Sequence, residues 1–164
     1  MFKKLFNRKK EASDNSVYAP LTGEVVPLEE VPDPVFAEKM MGEGIAIKPT
    51  SGMVVSPVDG KIVQVFPTKH AVGIETSNGV EILIHIGLET VQMNGEGFTA
   101  HVQEGSRVSV GDKLISFDLS IVQAKAKSTI TPIIITNTDL CKEIQKESVV
   151  NVTAGQERIL SVIK

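Results

Sequence analysis

One residue of the 164 is cysteine, Cys141, so no intrachain disulfide framework and no cysteine-cluster metal site can form. That usage fits a reducing compartment, the cytoplasm. Tryptophan is absent and aromatic residues make up only 4% of the chain, which leaves little surface for stacking nucleobases. A basic excess is also missing. The 17 Lys and Arg face 20 Asp and Glu, a formal net charge of −3, where a nucleic-acid binder normally shows the opposite balance. No nucleic-acid partner is expected. No apolar run approaches the ~20 residues needed to span a bilayer. The basic start is not followed by the apolar core of ~7–15 residues that marks a secretory signal. Neither GxGxxG, GxxxxGK[ST] nor GxSxG occurs, which removes the glycine-rich phosphate loops and the nucleophile elbow from consideration.

What is present suits one globular domain: 41% apolar and 23% charged residues over a length that can bury a proper core. The charge is unevenly placed. The first ten residues, MFKKLFNRKK, hold five basic side chains and no acid, which leaves 12 basic against 20 acidic residues in the rest, a net of −8. Phe2, Leu5 and Phe6 stand at i, i+3 and i+4 among Lys3, Lys4 and further basic residues. This spacing predicts a short amphipathic helix suited to an anionic membrane surface. Lys9–Ser16 (KKEASDNS) is polar and aperiodic and reads as a linker. The expected organisation is a basic head and linker over residues 1–17 and a single domain over residues 18–164.

Within the domain, apolar and polar residues alternate in Gly60–Val65, Gly79–Leu88 and Gly111–Leu119, and Pro132–Thr136 is a further strand-like run. Many short runs broken by Gly, Pro, Asp and Asn predict an all-β sandwich or barrel. Asp33–Met40 and Asp139–Lys146 read as short helical turns, with Asp139 as a cap and Cys141 as a small buried hydrophobe on the second. A Pro-x-x-Gly turn feeding a β-branched strand occurs at Pro20–Val26 and again at Pro57–Val63, a faint internal echo.

The three histidines are the informative residues. In a strand through GVEILIHIGL, the two-residue period places Ile82, Ile84, Ile86 and Leu88 on the core face. Glu81, Leu83, His85 and Gly87 fall on the other. The Gly87 carbonyl could hold one ring nitrogen of His85 and leave the other free as a nucleophile. A hairpin turning at Ser77-Asn78-Gly79 pairs residues whose numbers sum to about 155–156, which sets His70 at the level of His85 on the neighbouring strand. Thr68, two residues before His70, is expected on the same strand face and within reach of its ring. Two histidines so placed could share a metal ion, act as nucleophile and assistant, or handle a phosphate. Metal binding would want a third ligand, and none is evident nearby. His101 has no partner in view.

The stretches VPDPVFAEKMMGEGIAIKP, SPVDGKI, TKHA, VEILIHIGLETVQMNGEGF, EGSRVSVGD and KSTITPIIITN closely resemble the enzyme IIA component of the glucose family of the bacterial phosphoenolpyruvate-dependent sugar phosphotransferase system. The resemblance covers about residue 18 to the C-terminus. It implies a β-sandwich or flattened barrel with a shallow site. There His85 accepts a phosphoryl group on Nε2 from the carrier HPr and donates it to a cysteine of a IIB permease domain. It makes His70 the assisting histidine and Thr68 its hydroxyl partner, and gives Gly87 the carbonyl that orients the acceptor ring. An apolar docking ring is implied at Val35, Phe36, Met40, Met41, Phe66, Leu83, Ile86 and Val91, with Asp33 and Glu89 facing arginines of HPr. No resident cofactor or metal is implied, although zinc could bridge His70 and His85 to a partner's carboxylate. The alternative is a regulatory binding protein that keeps the fold and is modulated by phosphorylation. Leu83 and Ile86 flank His85 where relatives commonly carry Phe, and Glu89 stands where Asp is common.

Overall fold

Alternating sequences become strands where one face can be buried, and in the computed structural model, which describes residues 15–164, the alternating runs at Gly60–Val65, Glu81–His85 and Lys113–Phe117 are strands. Numbered in chain order, eight strands form an antiparallel sheet in the order β13 (Asn151–Val152), β2 (Gly23–Pro27), β3 (Glu43–Pro49), β11 (Thr131–Ile135), β7 (Glu81–His85), β6 (Ala71–Glu75), β5 (Gly60–Val65) and β9 (Arg107–Val108). Two smaller sheets complete it: β1 (Ser16–Tyr18), β14 (Arg158–Ile163) and β12 (Glu143–Lys146); and β4 (Met53–Val55), β10 (Lys113–Phe117) and β8 (Phe98–Ala100). The described strands close no barrel, so the sandwich is the form the all-β expectation takes. The two Pro-x-x-Gly turns lead into β2 and β5, each second from an opposite end of the large sheet. Among the described residues no helix is long and apolar enough to cross a membrane.

The main core joins the inner faces of all three sheets. Ile82 and Ile84 of β7, Ile133 and Ile135 of β11, Ile45 and Ile47 of β3, Leu114 of β10 and Leu160 of β14 all belong to it. Burying each such side chain stabilises by about 1.5–3 kcal/mol. The second face of the large sheet is not bare. Val26, Ala46, Ile134 and Leu83 form a smaller core there with Leu28, Val31 and Phe36. The cover is a 3-10 turn, Leu28–Glu30, followed by a four-residue helix α1, Pro34–Ala37, whose N-cap Asp33 accepts from the Val35 amide at 3.0 Å. Lys39 pins this cover to β3 through Glu29 (3.2 Å) and Glu43 (3.1 Å), and Lys146 of β12 reaches Glu43 at 2.9 Å.

Five local expectations are corrected. Asp139–Lys146 is not a helical turn: a 3-10 turn takes only Thr138–Leu140, and Glu143–Lys146 pairs with β14 because that edge offers a free ladder. Asp139 makes no side-chain cap, and Cys141 is half-buried at the end of the 3-10 turn. A seven-residue helix α2, Leu119–Lys125, capped by Asp118 on the Ile121 amide at 3.2 Å, stands where no helix is expected, since Val122 alone of its residues is fully buried and no periodic stripe announces it. Val17 is fully buried in the core on a strand that starts at Ser16, so the folded part begins inside the span read as linker.

Candidate functional site

The hairpin register sets the site. β6 and β7 pair with Ala71 opposite His85 and Gly73 opposite Leu83, and the turn between them is closed by the Gly79 amide on Thr76 O at 2.9 Å. Residues 71 and 85 sum to the expected value, and His70 follows at the level of Ile86, whose amide donates to His70 O at 2.7 Å. Ala71 and Gly73 of β6 are both buried, and the two imidazoles meet at the His70 and His85 end of this strand pair. Their centroids lie 4.9 Å apart, with planes at 79°.

Each ring is held by its own neighbours. His85 Nδ1 lies 2.8 Å from Gly87 O. A carbonyl only accepts, so Nδ1 carries the proton and Nε2 keeps its lone pair. The Phe36 ring leans on His85 at 5.1 Å. His70 Nδ1 is hydrogen-bonded to Thr68 Oγ1 at 2.5 Å, and Phe66 meets the His70 ring edge-on at 5.5 Å. Thr68 and His70 do not share a strand face as expected: both lie in the turn between β5 and β6, where Lys69 takes a left-handed φ of 60°. That conformation folds the chain back so the hydroxyl of residue 68 reaches the ring of residue 70.

Burial acts on both rings. The His85 imidazole is half-buried and titrates below its usual range, chiefly from lost solvation, opposed by the Gly87 hydrogen bond and the negative charge of Asp33. His70 is only 4% exposed, and burial, then the charge of His85, pushes it down to about 4. Both rings are therefore neutral near neutral pH. This has a consequence for stability. Between the ordinary histidine value of 6.5 and the folded value of about 4 for His70, the unfolded chain binds a proton that the folded chain refuses. The stability is therefore full above about pH 6.5 and is lost as pH falls towards 4. Thermal unfolding measured between about pH 7.5 and 4.5 should drop more steeply for the wild type than for His70→Gln. Parallel slopes would contradict the refusal of that proton.

The surrounding ring separates into an exposed and a buried set. Val35, Met40, Met41 and Val91 are exposed at 40%, 71%, 38% and 51%. Phe66 and Asp33 are half-buried, and Glu89 is exposed in a left-handed conformation at the start of a 3-10 turn, Thr90–Met93. Three residues expected on the docking ring are buried instead. Ile86 is fully enclosed in the main core because it keeps the parity of Ile82 and Ile84 past the end of β7. Leu83 and Phe36 are 7% and 5% exposed in the second core, because the segment from Leu28 to Ala37 covers that sheet face. Leu88 is found in the second core and not the main one, since Gly87 at φ +70° turns the chain over. The proposed membrane residues Phe2, Lys3, Lys4, Leu5 and Phe6 lie outside the described residues. Sequence reasoning did not single out Ser128, whose carbonyl receives the Leu88 amide at 2.9 Å beside the site. Backbone atoms leave no mark in side-chain patterns.

Residues 15–141 match the family model for the phosphoenolpyruvate-dependent sugar phosphotransferase system, EIIA 1. The chain belongs to this family. Curated relatives of the EIIA family agree along the whole length. The "PTS system glucose-specific EIIA component" of Oceanobacillus iheyensis is 59% identical over 164 residues, covering 99% of each chain. That of Bacillus anthracis is 60% identical over 162 residues, covering 99% of this chain and 98% of its own. The solved structure of glucose permease IIA from Mycoplasma capricolum superposes with a TM-score of 0.84 at 44% identity, covering 91% of this chain and 95% of that one. Membership of the EIIA family makes this chain a phosphotransfer component of sugar uptake. Among the described residues no group of three or more His, Cys, Asp or Glu is arranged to hold a metal ion.

Proposed function

We propose that the chain is a cytoplasmic histidine phosphocarrier in which His85 Nε2 takes a phosphoryl group from phospho-HPr and passes it to a cysteine of a IIB permease domain. The names of the relatives point to a glucose permease as the one served. The observation that carries the reading is the 2.8 Å contact from His85 Nδ1 to Gly87 O. It holds the proton on Nδ1 and leaves the Nε2 lone pair free beside a second, neutral imidazole.

In uptake, the Nε2 lone pair of His85 forms a bond to phosphorus as the bond to the donor imidazole breaks, and the bonding pair stays on the donor nitrogen. In delivery, a cysteine thiolate attacks the same phosphorus and the pair returns to Nε2. His85 keeps its Nδ1 proton against Gly87 O in both steps. When Thr68 donates its hydroxyl proton to His70 Nδ1, the proton of His70 sits on Nε2, where it hydrogen-bonds an oxygen of the phosphoryl group carried by the neighbouring His85. The exposed Val35, Met40, Met41 and Val91 form the contact surface for both partners. Methionine adapts to more than one partner shape. Asp33 and Glu89, on a body of net charge −8, attract a basic donor before contact.

Incubating the wild-type chain with phosphoenolpyruvate, enzyme I and HPr, and reading intact mass, should show a single added phosphoryl group that acid removes. Adding a IIB domain should then discharge it. A chain that gains no mass under conditions where HPr is fully phosphorylated overturns the reading.

A further inference from the structure

Gly87 carries the carbonyl that sets the acceptor tautomer, so the aim of that carbonyl depends on the two peptide planes that flank Gly87. Both planes are held at both ends. In the plane between residues 86 and 87, the Ile86 carbonyl accepts from Thr90 Oγ1 at 2.6 Å and the Gly87 amide donates to Thr131 Oγ1 at 3.4 Å. In the plane between residues 87 and 88, the Gly87 carbonyl accepts from His85 Nδ1 and the Leu88 amide donates to Ser128 O at 2.9 Å. Thr90 and Thr131 are both 0% exposed, so neither hydroxyl has water as a substitute partner. The Thr131 hydroxyl donates its own proton to Thr129 O at 3.0 Å, which leaves its lone pairs to accept from Gly87. The Thr90 methyl closes the remaining side: a Cβ on Gly87 would lie 2.7 Å from Thr90 Cγ2 and 2.8 Å from Ser128 O.

We propose that Thr90, seconded by Thr131, is a positioning residue for phosphoryl transfer: its hydroxyl fixes the peptide plane before Gly87, which aims the Gly87 carbonyl at His85 Nδ1 and keeps Nε2 unprotonated. This rests on the reading of His85 as the acceptor. Thr90 touches no reacting atom. Removing its hydroxyl frees one end of the plane, lets the Gly87 carbonyl swing, and releases the imidazole to populate the other tautomer, in which Nε2 carries the proton and cannot attack.

The substitution Thr90→Val keeps the shape and methyl group and removes the hydroxyl, while Thr90→Ser keeps the hydroxyl. Nitrogen-15 NMR of the His85 ring near neutral pH reports the tautomer, and the rate of labelling by phospho-HPr reports transfer. Thr90→Val should populate the Nε2–H tautomer and slow uptake about ten- to a hundredfold. Thr90→Ser should retain the wild-type tautomer and rate. Thr131→Val should change both in the same direction and by less, because its bond is longer, and it decides the question if Thr90→Val does not fold. A wild-type tautomer in every folded valine variant overturns the proposal. A shifted tautomer in chains of which none, wild type included, accepts phosphate supports the positioning role and overturns the acceptor reading instead.

Discussion

His85→Ala takes up no acid-labile phosphoryl group from phospho-HPr, whereas the wild type takes up one; intact mass measures both. The effect should be complete because the other two histidines are poorly placed to substitute. His70 is 4% exposed with Nδ1 engaged by Thr68, and lies below the surface that a partner would reach. His101 is exposed, but it sits beyond β8, with Nε2 hydrogen-bonded to Ser116 Oγ on β10. Among the described residues it has neither a carbonyl bonded to its ring nor a second imidazole beside it. Alanine at position 85 leaves the framework in place, since the strand keeps its pairing through the backbone of Ala71 and Ile86. Labelling of His85→Ala to the wild-type level would mean that another side chain is the acceptor.

His70→Ala separates the two directions of transfer. The variant accepts a phosphoryl group but delivers it to the IIB cysteine about 10²–10³ times more slowly than the wild type, the usual cost of losing one donor to a developing anion. The asymmetry follows from the nucleophiles. In uptake the attacking group is the neutral His85 imidazole, and little charge is added to the phosphoryl oxygens. In delivery an anionic thiolate approaches a phosphoryl group that is already negative, and a hydrogen bond from His70 Nε2 becomes essential. His70→Gln, which can still present an N–H at about that position, should recover part of the rate. Rapid-quench measurement of both half-reactions checks this, and equal slowing of uptake and delivery would contradict it. In the proposed transfer, the neutral state of His70 keeps the arrangement reversible. A cationic His70 would hold the phosphoryl group on His85 and impede its release, and burial keeps the ring uncharged well below neutral pH.

Much of this site follows from local rules that a chain obeys wherever it folds. The period of two in a strand assigned Ile84 and His85 to opposite faces, and the Ser77-Asn78-Gly79 turn set His70 level with His85. Both depend on residues within about fifteen positions of one another, where backbone geometry leaves few choices. The HIGLETV and TKHA segments named the family, and the matching relatives agree over the full length. The same period put Ile86 on the core face, where it lies, against its place in the docking ring that the resemblance implied. The placement of Leu83 and Phe36 was less legible. The pattern shows that Leu83 leaves the main core but not that residues 28–37 fold over it, because that cover is set by packing between segments some fifty residues apart. The same holds for β12, whose helical look yields to a free ladder edge on β14.

By itself, then, the amino-acid sequence determined the all-β class, the two histidines and their register, and the family to which the chemistry belongs. Tertiary structure alone decided which residues of the expected docking ring reach the surface, how burial lowers the proton affinity of the two rings, and which hydroxyls hold the peptide plane before Gly87. The physical reason is one of range. Strand period and turn geometry act between near neighbours, whereas burial and the pairing of Thr90, Ser128 and Thr131 around Gly87 depend on chain segments that only the complete fold brings together.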